Sequence, residues 1–247
     1  MNLKFLAALV LSLVAGLVSA QAECRHVPHK DDIYTVCSFD PAKADIRTFN
    51  TDKAGAPYGS FRALGKDLRT RSAFLAFAVN GGMYHSDLLP VGLFVEEGQE
   101  RKAISTKSGW GNFHLQPNGV FFVDTGKAGV LDTPTYIRSG FKPQFATQSG
   151  PMLVIGGKIH PKFLADSDSF KIRNGVGFSP DGMVHFAVSE GPVRFYDFAE
   201  FYRDVLGCPN ALFLDGSISS LYAPVIGRND RLFPLGPIIA VVGTIAK

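Results

Sequence analysis

The sequence has only three cysteines, no long apolar run beyond its first two dozen residues, and no block of like charge. Each absence removes a class of protein. Three cysteines allow at most one internal bridge, and none of their spacings is short enough for a zinc site. Without a later run approaching ~20 apolar residues, no helical membrane span is expected beyond the amino terminus. Basic residues are scattered along a chain of formal charge +3, so nucleic acid is not an expected partner. No Pro/Ser-rich linker, repeat or low-complexity tract divides the chain. With 46% hydrophobic and 19% charged residues it is an ordinary folded protein, expected to form one domain.

What is present at the amino terminus points to export. Lys4 supplies a positive start, residues 5–18 are apolar apart from Ser12 and Gly16, and the small residues Ser19, Ala20 and Ala22 follow. This is the layout of a cleavable signal peptide, cut after Ala20 or after Ala22. Taking the later position, residues 1–22 are the leader and 23–247 the working domain, periplasmic or secreted, with no membrane span once the leader is removed. Glu23 precedes Cys24 where a lipid-attachment cysteine needs a small residue, which argues against a lipoprotein. In an oxidising compartment Cys24 and Cys37 are the natural pair, closing a loop worth ~3 kcal/mol in the chain-entropy account. Cys208 is then free and suited to a buried apolar role.

The remaining pattern is mostly strand-like. Short runs rich in Val, Ile and Phe at 91–96, 119–123, 151–155, 176–178, 184–188 and 238–242 are separated by Gly, Pro, Asn and Asp turns. Pro180-Asp181-Gly182 and Gln116-Pro117-Asn118-Gly119 read as hairpin-type turns. Residues 60–70 set Phe61, Leu64 and Leu68 on one helical face, and residues 198–206 repeat Phe198, Phe201, Tyr202 and Val205 at helical spacing, with Asp197 able to cap and Gly207 able to end the turn. Buried strands are expected at 73–79, stopping at Asn80-Gly81-Gly82, and at 211–214, stopping at Asp215. The expected class is α+β: a single β-dominated domain with a mixed sheet and few helices.

Four loops gather the residues able to do chemistry. They are Asn80-Gly81-Gly82-Met83-Tyr84-His85, Gln148-Ser149-Gly150-Pro151, Arg173-Asn174-Gly175-Val176-Gly177, and the segment opening with Asp215-Gly216-Ser217-Ile218-Ser219. Each sets polar side chains beside glycines, so that a ligand can approach backbone N–H groups. Taken one at a time, each is an ordinary turn more often than a site. Glu190 is a candidate second carboxylate or a strand-end turn. The histidines show no metal-ligand spacing, and His85 is placed best because it follows the first loop.

The ordered set of these motifs, with Pro-Val-Gly-Leu at 90–93 and Ser-Gly-Pro-Met-Leu-Val at 149–154, resembles the phosphodiester glycosidase family over roughly residues 40–247. The resemblance implies hydrolysis of a glycosyl-1-phosphodiester, with a small-molecule or glycan phosphodiester as substrate. Two motifs depart from the family pattern. The fourth commonly reads Asp-Gly-Gly-Gly-Ser, and the first often reads Asn-Ala-Gly, so the sugar specificity does not carry over with the reaction class.

The same residues suit that reaction. Cleavage develops positive character at the anomeric carbon and releases an anion, which calls for a carboxylate near the sugar and cationic or N–H donors near the phosphate. Asp215 is the expected carboxylate, as base or nucleophile, and Arg173 the expected phosphate fork. Asn80, Gly81, Gly82, His85, Ser149, Gly150, Asn174, Gly216, Ser217 and Ser219 are the expected substrate contacts. No metal site is expected and no cofactor is required, although Asp215 and neighbouring carbonyls could hold a divalent cation. The alternatives are a non-catalytic glycan-binding or envelope-interaction domain on the same scaffold, told apart by binding without turnover, and a serine hydrolase using Ser149 or Ser217, for which no Gly-x-Ser-x-Gly elbow is present.

Overall fold

The computed structural model describes residues 23–215 and 218–245, so the expected leader lies outside the described residues. Three sheets of seven, five and five strands make up most of it. The seven-stranded sheet runs, edge to edge, Glu23–His29, Asp32–Phe39, Val184–Ser189, Asn174–Phe178, Asn210–Phe213, Met152–Ile155, Lys158–Ile159. The second sheet centres on Ala73–Asn80, flanked by Leu221–Ala223 and Ile238–Thr244, and the third on Phe145–Ser149, flanked by Phe94–Glu96 and Gly119–Asp124. The β-dominated α+β class holds, with one refinement: every strand pairing among the described residues is antiparallel, where a mixed sheet was expected.

Alternation along the strands decides which faces are buried. From the seven-stranded sheet Val176, Val184, Phe186 and Leu212 point inward, and they meet Phe77, Val79 and Ile239 of the second sheet and Phe121 and Val130 of the third in one core. Phe186 sits where all three meet: its ring lies 5.2 Å from that of Phe77 and 5.7 Å, edge-on, from that of Phe121. The reverse face of the seven-stranded sheet carries Leu153, Ala187 and Phe213 and is covered by Phe198, Phe201 and Tyr202.

The helices cover the outer faces. Helix Phe61–Thr70 begins at Ser60, whose side chain accepts from the Ala63 N–H, and buries Phe61, Leu64 and Leu68 against the second sheet, as their spacing requires. Helix Phe195–Glu200 starts earlier than the sequence pattern suggests, with Arg194 at its N-cap and Asp197 inside the first turn, paired with Arg194 at 3.5 Å. It begins early because Phe195 packs on Phe163 and Phe213, at centroid separations of 4.8 Å in both cases. A π-helical turn, Phe201–Val205, extends it, and the backbone leaves the helix near Gly207 at φ +64. Gln116-Pro117-Asn118-Gly119 is not a hairpin: it leads from a 3₁₀ turn, Asn112–His114, into strand Gly119–Asp124, whose own hairpin partner is Lys127–Asp132.

The two amino-terminal strands form a hairpin in which Cys24 stands directly opposite Cys37, and the two are disulfide-bonded. Cys208 is buried and free, and burial pushes its thiol up to about 12, so it stays protonated and inert. Two stability outcomes follow. Reduction, or Cys24→Ala with Cys37→Ala, should lower the unfolding free energy by about 3 kcal/mol in urea titrations. Phe186→Ala should lower it by about 3–5 kcal/mol, because a ring packed from three sides leaves a void that cannot close.

Candidate active site

Strands from all three sheets end at one place. Asn80 closes Ala73–Asn80, Ser149 closes Phe145–Ser149, Asn174 opens Asn174–Phe178, and Asp215 follows two residues after Asn210–Phe213. Asn80, Ser149 and Asn174 are completely buried. The Asn174 amide donates to Asn80 Oδ1 at 2.8 Å, and Asn174 Oδ1 accepts from the Asp215 N–H at 2.9 Å. Asn80 Oδ1 also accepts from the Ser220 N–H at 2.8 Å, while its amide nitrogen lies 3.4 Å from the Asp215 carbonyl. The Ser149 hydroxyl donates to the Leu214 carbonyl. Segments separated by up to 140 residues are thereby fixed to one another, and both ends of the 215–220 segment are clamped.

These hydrogen bonds change the expected roles of the first two loops. The Gly81 N–H donates to the Pro237 carbonyl at 2.7 Å and the Gly82 N–H to Thr147 Oγ1 at 3.3 Å, so neither is available to a ligand. Gly82 is required for closeness: a Cβ there would stand 2.3 Å from the Gln148 carbonyl oxygen. At Gly150 it would stand 2.5 Å from the Asn118 Cβ. Polar groups at the ends of buried strands must find partners, and here they find each other before any substrate arrives. Asn80, Asn174, Ser149, Gly81, Gly82 and Gly150 therefore form a scaffold behind the site.

Arg173 and Asp215 are neighbours in the backbone. Gly175 pairs with Phe213, and the Leu214 N–H donates to the Asn174 carbonyl, so continuing the antiparallel count sets Arg173 opposite Asp215. The Arg173 guanidinium is not the open fork expected from the sequence. It is 1% exposed, donates Nε–H to the Val193 carbonyl at 2.8 Å and a second N–H to the Ser169 carbonyl at 3.0 Å, and lies 3.6 Å above the Phe195 ring. Burial lowers its pKa to about 10, with no carboxylate offsetting that effect, so at neutral pH it remains a buried cation held by carbonyl dipoles and a π face.

Tyr84, directly after Asn-Gly-Gly-Met, is not among the contacts expected from the sequence. Its hydroxyl donates to the Pro234 carbonyl at 2.8 Å, and its pKa is pushed up to about 12, first by burial and then by the charge of Asp215. Tyr84 is thus half-buried and within the electrostatic reach of Asp215, and its place in the first motif was the available signal. His85 lies one residue on, exposed in the turn closed by His85 and Leu89. The Ser219 hydroxyl donates to the Asp215 carbonyl at 3.2 Å. Gly216 and Ser217 lie outside the described residues. Glu190 follows the strand beside Arg173, where its carboxylate accepts from Thr35 Oγ1 at 2.5 Å and pairs with Arg228. Among the described residues no three His, Cys, Asp or Glu side chains gather as a metal site would require.

The site is a carboxyl-bearing residue just past a strand end, its backbone held by two buried side-chain amides, with a buried cation on the neighbouring strand. The phosphodiester glycosidase family model matches residues 73–236, and the chain belongs to that family. The uncharacterized protein YigE of Escherichia coli (strain K12) is 36% identical over 189 residues, covering 76% of this chain and 72% of that protein. In three dimensions the chain is similar to the zebrafish N-acetylglucosamine-1-phosphodiester alpha-N-acetylglucosaminidase catalytic domain auto-inhibited by its pro-peptide. That match has a TM-score of 0.64 at 13% identity, covering 92% of this chain and 85% of that one. A hypothetical protein from Synechocystis matches with a TM-score of 0.58 at 15% identity, covering 90% and 61% of the two chains. Family membership supports a glycosidase-type function.

Asn174→Ala removes one of the two donors to Asn80 Oδ1 and the acceptor of the Asp215 N–H. It should cost about 2–3 kcal/mol of stability, read from urea unfolding, because a buried backbone donor is left unpaired.

Proposed function

We propose that this protein hydrolyses glycosyl-1-phosphodiesters in a periplasmic or secreted setting, with Asp215 as the reacting carboxylate. The observation that carries the reading is the polar cage: three buried polar side chains, one from each sheet, fix the backbone on both sides of Asp215, and such pre-positioning is what a reacting carboxylate needs. Phosphate is a good leaving group, so one placed carboxylate, as base toward water or as nucleophile at the anomeric carbon, is sufficient chemistry. The carbon–oxygen bond to the phosphate breaks as the new bond to water or to Asp215 forms, and the phosphomonoester departs with the electron pair.

Arg173 contributes through its field. A buried cation without a carboxylate counterion favours an anion at that end of the sheet, and the low dielectric around it strengthens the attraction. Tyr84, His85, Ser217 and Ser219 are assigned to contacts with the sugar or its phosphate. No cofactor is required in this scheme, and a divalent cation at Asp215 is compatible with it. The altered glycine motif after Asp215 places the sugar preference outside what the family name conveys.

The test is turnover of a panel of sugar-1-phosphodiesters, including an N-acetylglucosamine-1-phosphodiester of the kind the zebrafish enzyme is named for. Purified protein should release sugar from at least one of them. Asp215→Asn should lower kcat by about 10²–10⁴ while leaving the unfolding midpoint nearly unchanged. A folded protein that binds these compounds without turnover, or an Asp215→Asn variant of full activity, would sink the assignment.

A further inference from the structure

A cleft of about 620 Å³ opens between the 49–58 segment, the Leu89-Pro90 turn and the strands Phe94–Glu96 and Gln99–Lys102. None of its lining residues belongs to the Asp215 surroundings. Its volume lies in the range of small-molecule sites, roughly 300–1,000 Å³. One wall is apolar, made by Phe49, Tyr58, Leu89 and Phe94.

Among the described residues, two acceptors on the polar side have no donor. Asn50 is 3% exposed and uses its amide N–H on the Leu88 carbonyl, at 2.9 Å, while no donor among the described residues reaches its Oδ1. The Glu96 carboxylate is 16% exposed, receives no hydrogen bond from the described residues, and has its nearest cation, the Arg101 Nε, 4.0 Å away. Burial pushes its pKa up to about 7 against the opposing pull of Arg101. A cleft carboxyl perturbed in this way belongs to the class of groups that mark functional sites.

The rim carries the cations Lys53, Arg101 and Lys102 beside the acids Asp52 and Glu97, and Asp52 is engaged by the Ala54 and Ala56 N–H groups. Arg71 is occupied by Asp67. Lys53 and Lys102 form no ion pair among the described residues, whereas the rim acid Glu97 faces Arg47 at 4.0 Å. A ligand complementary to this lining has an apolar face, hydroxyl donors and a negative group.

We infer that the cleft binds a saccharide carrying an anionic substituent. Its ring lies along Tyr58 and Leu89, its hydroxyls donate to Asn50 Oδ1 and the Glu96 carboxyl, and its acid group is held by Arg101, Lys102 and Lys53. A sugar carboxylate and a sugar phosphate share this chemistry. Binding here is independent of turnover at Asp215.

The experiment titrates isotope-labelled protein, lacking residues 1–22, with trigalacturonate, glucose 6-phosphate, methyl glucoside and inorganic phosphate, following amide resonances. At least one of the two acidic sugars should shift the Thr51, Glu96 and Lys102 signals saturably, and which of them does identifies the acid group. Methyl glucoside and inorganic phosphate should bind about tenfold more weakly or not at all. Arg101→Ala with Lys102→Ala should weaken the acidic sugar about tenfold or more, since charge-assisted hydrogen bonds are lost. Glu96→Ala should weaken it as well, and Asp215→Asn should leave it unchanged. Silence of these resonances with both acidic sugars at millimolar concentration overturns the inference, as does equal binding of inorganic phosphate or of the neutral glycoside. Shifts confined to the neighbourhood of Tyr84 and Asp215 overturn it too, while leaving the proposed function standing.

Discussion

The hydrogen bond between the Asn174 and Asn80 side chains joins the seven-stranded sheet to the second sheet, across 94 residues of chain. Both residues are fully buried, so neither has water as an alternative partner. Their remaining acceptor and donor atoms are directed at Asp215 and Ser220, which makes the rest of the site a dependent of this one contact. An apolar pair of similar size would fill the same space, but it would leave the Asp215 and Ser220 N–H groups without acceptors. Interior polarity at this point is therefore a means of fixing backbone, with recognition left to the groups in front of it.

The buried cation next to that contact follows a related logic. Arg173 immediately precedes the strand that opens at Asn174, and consecutive residues of an extended chain face opposite ways. Asn174 accordingly turns toward Asn80, and Arg173 turns toward Phe195 and the Val193 carbonyl. Enclosing an ion is expensive unless dipoles replace its water, and here two carbonyls and an aromatic face do so. The helix that brings Phe195 into place is thus coupled to the electrostatics of the site through a single side chain.

Much of this arrangement was legible in the sequence, because strands that end in polar and glycine residues announce where loops begin. The helix at 61–70 follows from three apolar residues at helical spacing and a serine cap, and the Cys24–Cys37 bridge follows from compartment and count. Asp215 stands at its strand end as the pattern required. What sequence could not supply was direction. Nothing in Arg-Asn-Gly-Val-Gly tells which of two adjacent polar side chains turns toward Asn80 and which toward Phe195, and nothing in Asn-Gly-Gly tells that a neighbouring strand would pass 2.3 Å from a Cβ at Gly82. Those facts depend on register between distant strands. Tyr84 is not legible from sequence because aromatic residues are ordinarily core, nor is the Glu96 cleft, whose walls come from segments with no shared motif.

The clamped ends of the 215–220 segment also bear on how such a protein can diversify. Asp215 and Ser220 are held by partners that belong to other strands, so their anchorage does not depend on which side chains stand between them. That separation lets descendants of one ancestral scaffold adopt new sugars by small steps, each leaving a folded intermediate. Serine at 217 and isoleucine at 218, where the family pattern commonly has glycine, are the kind of change such an anchorage tolerates.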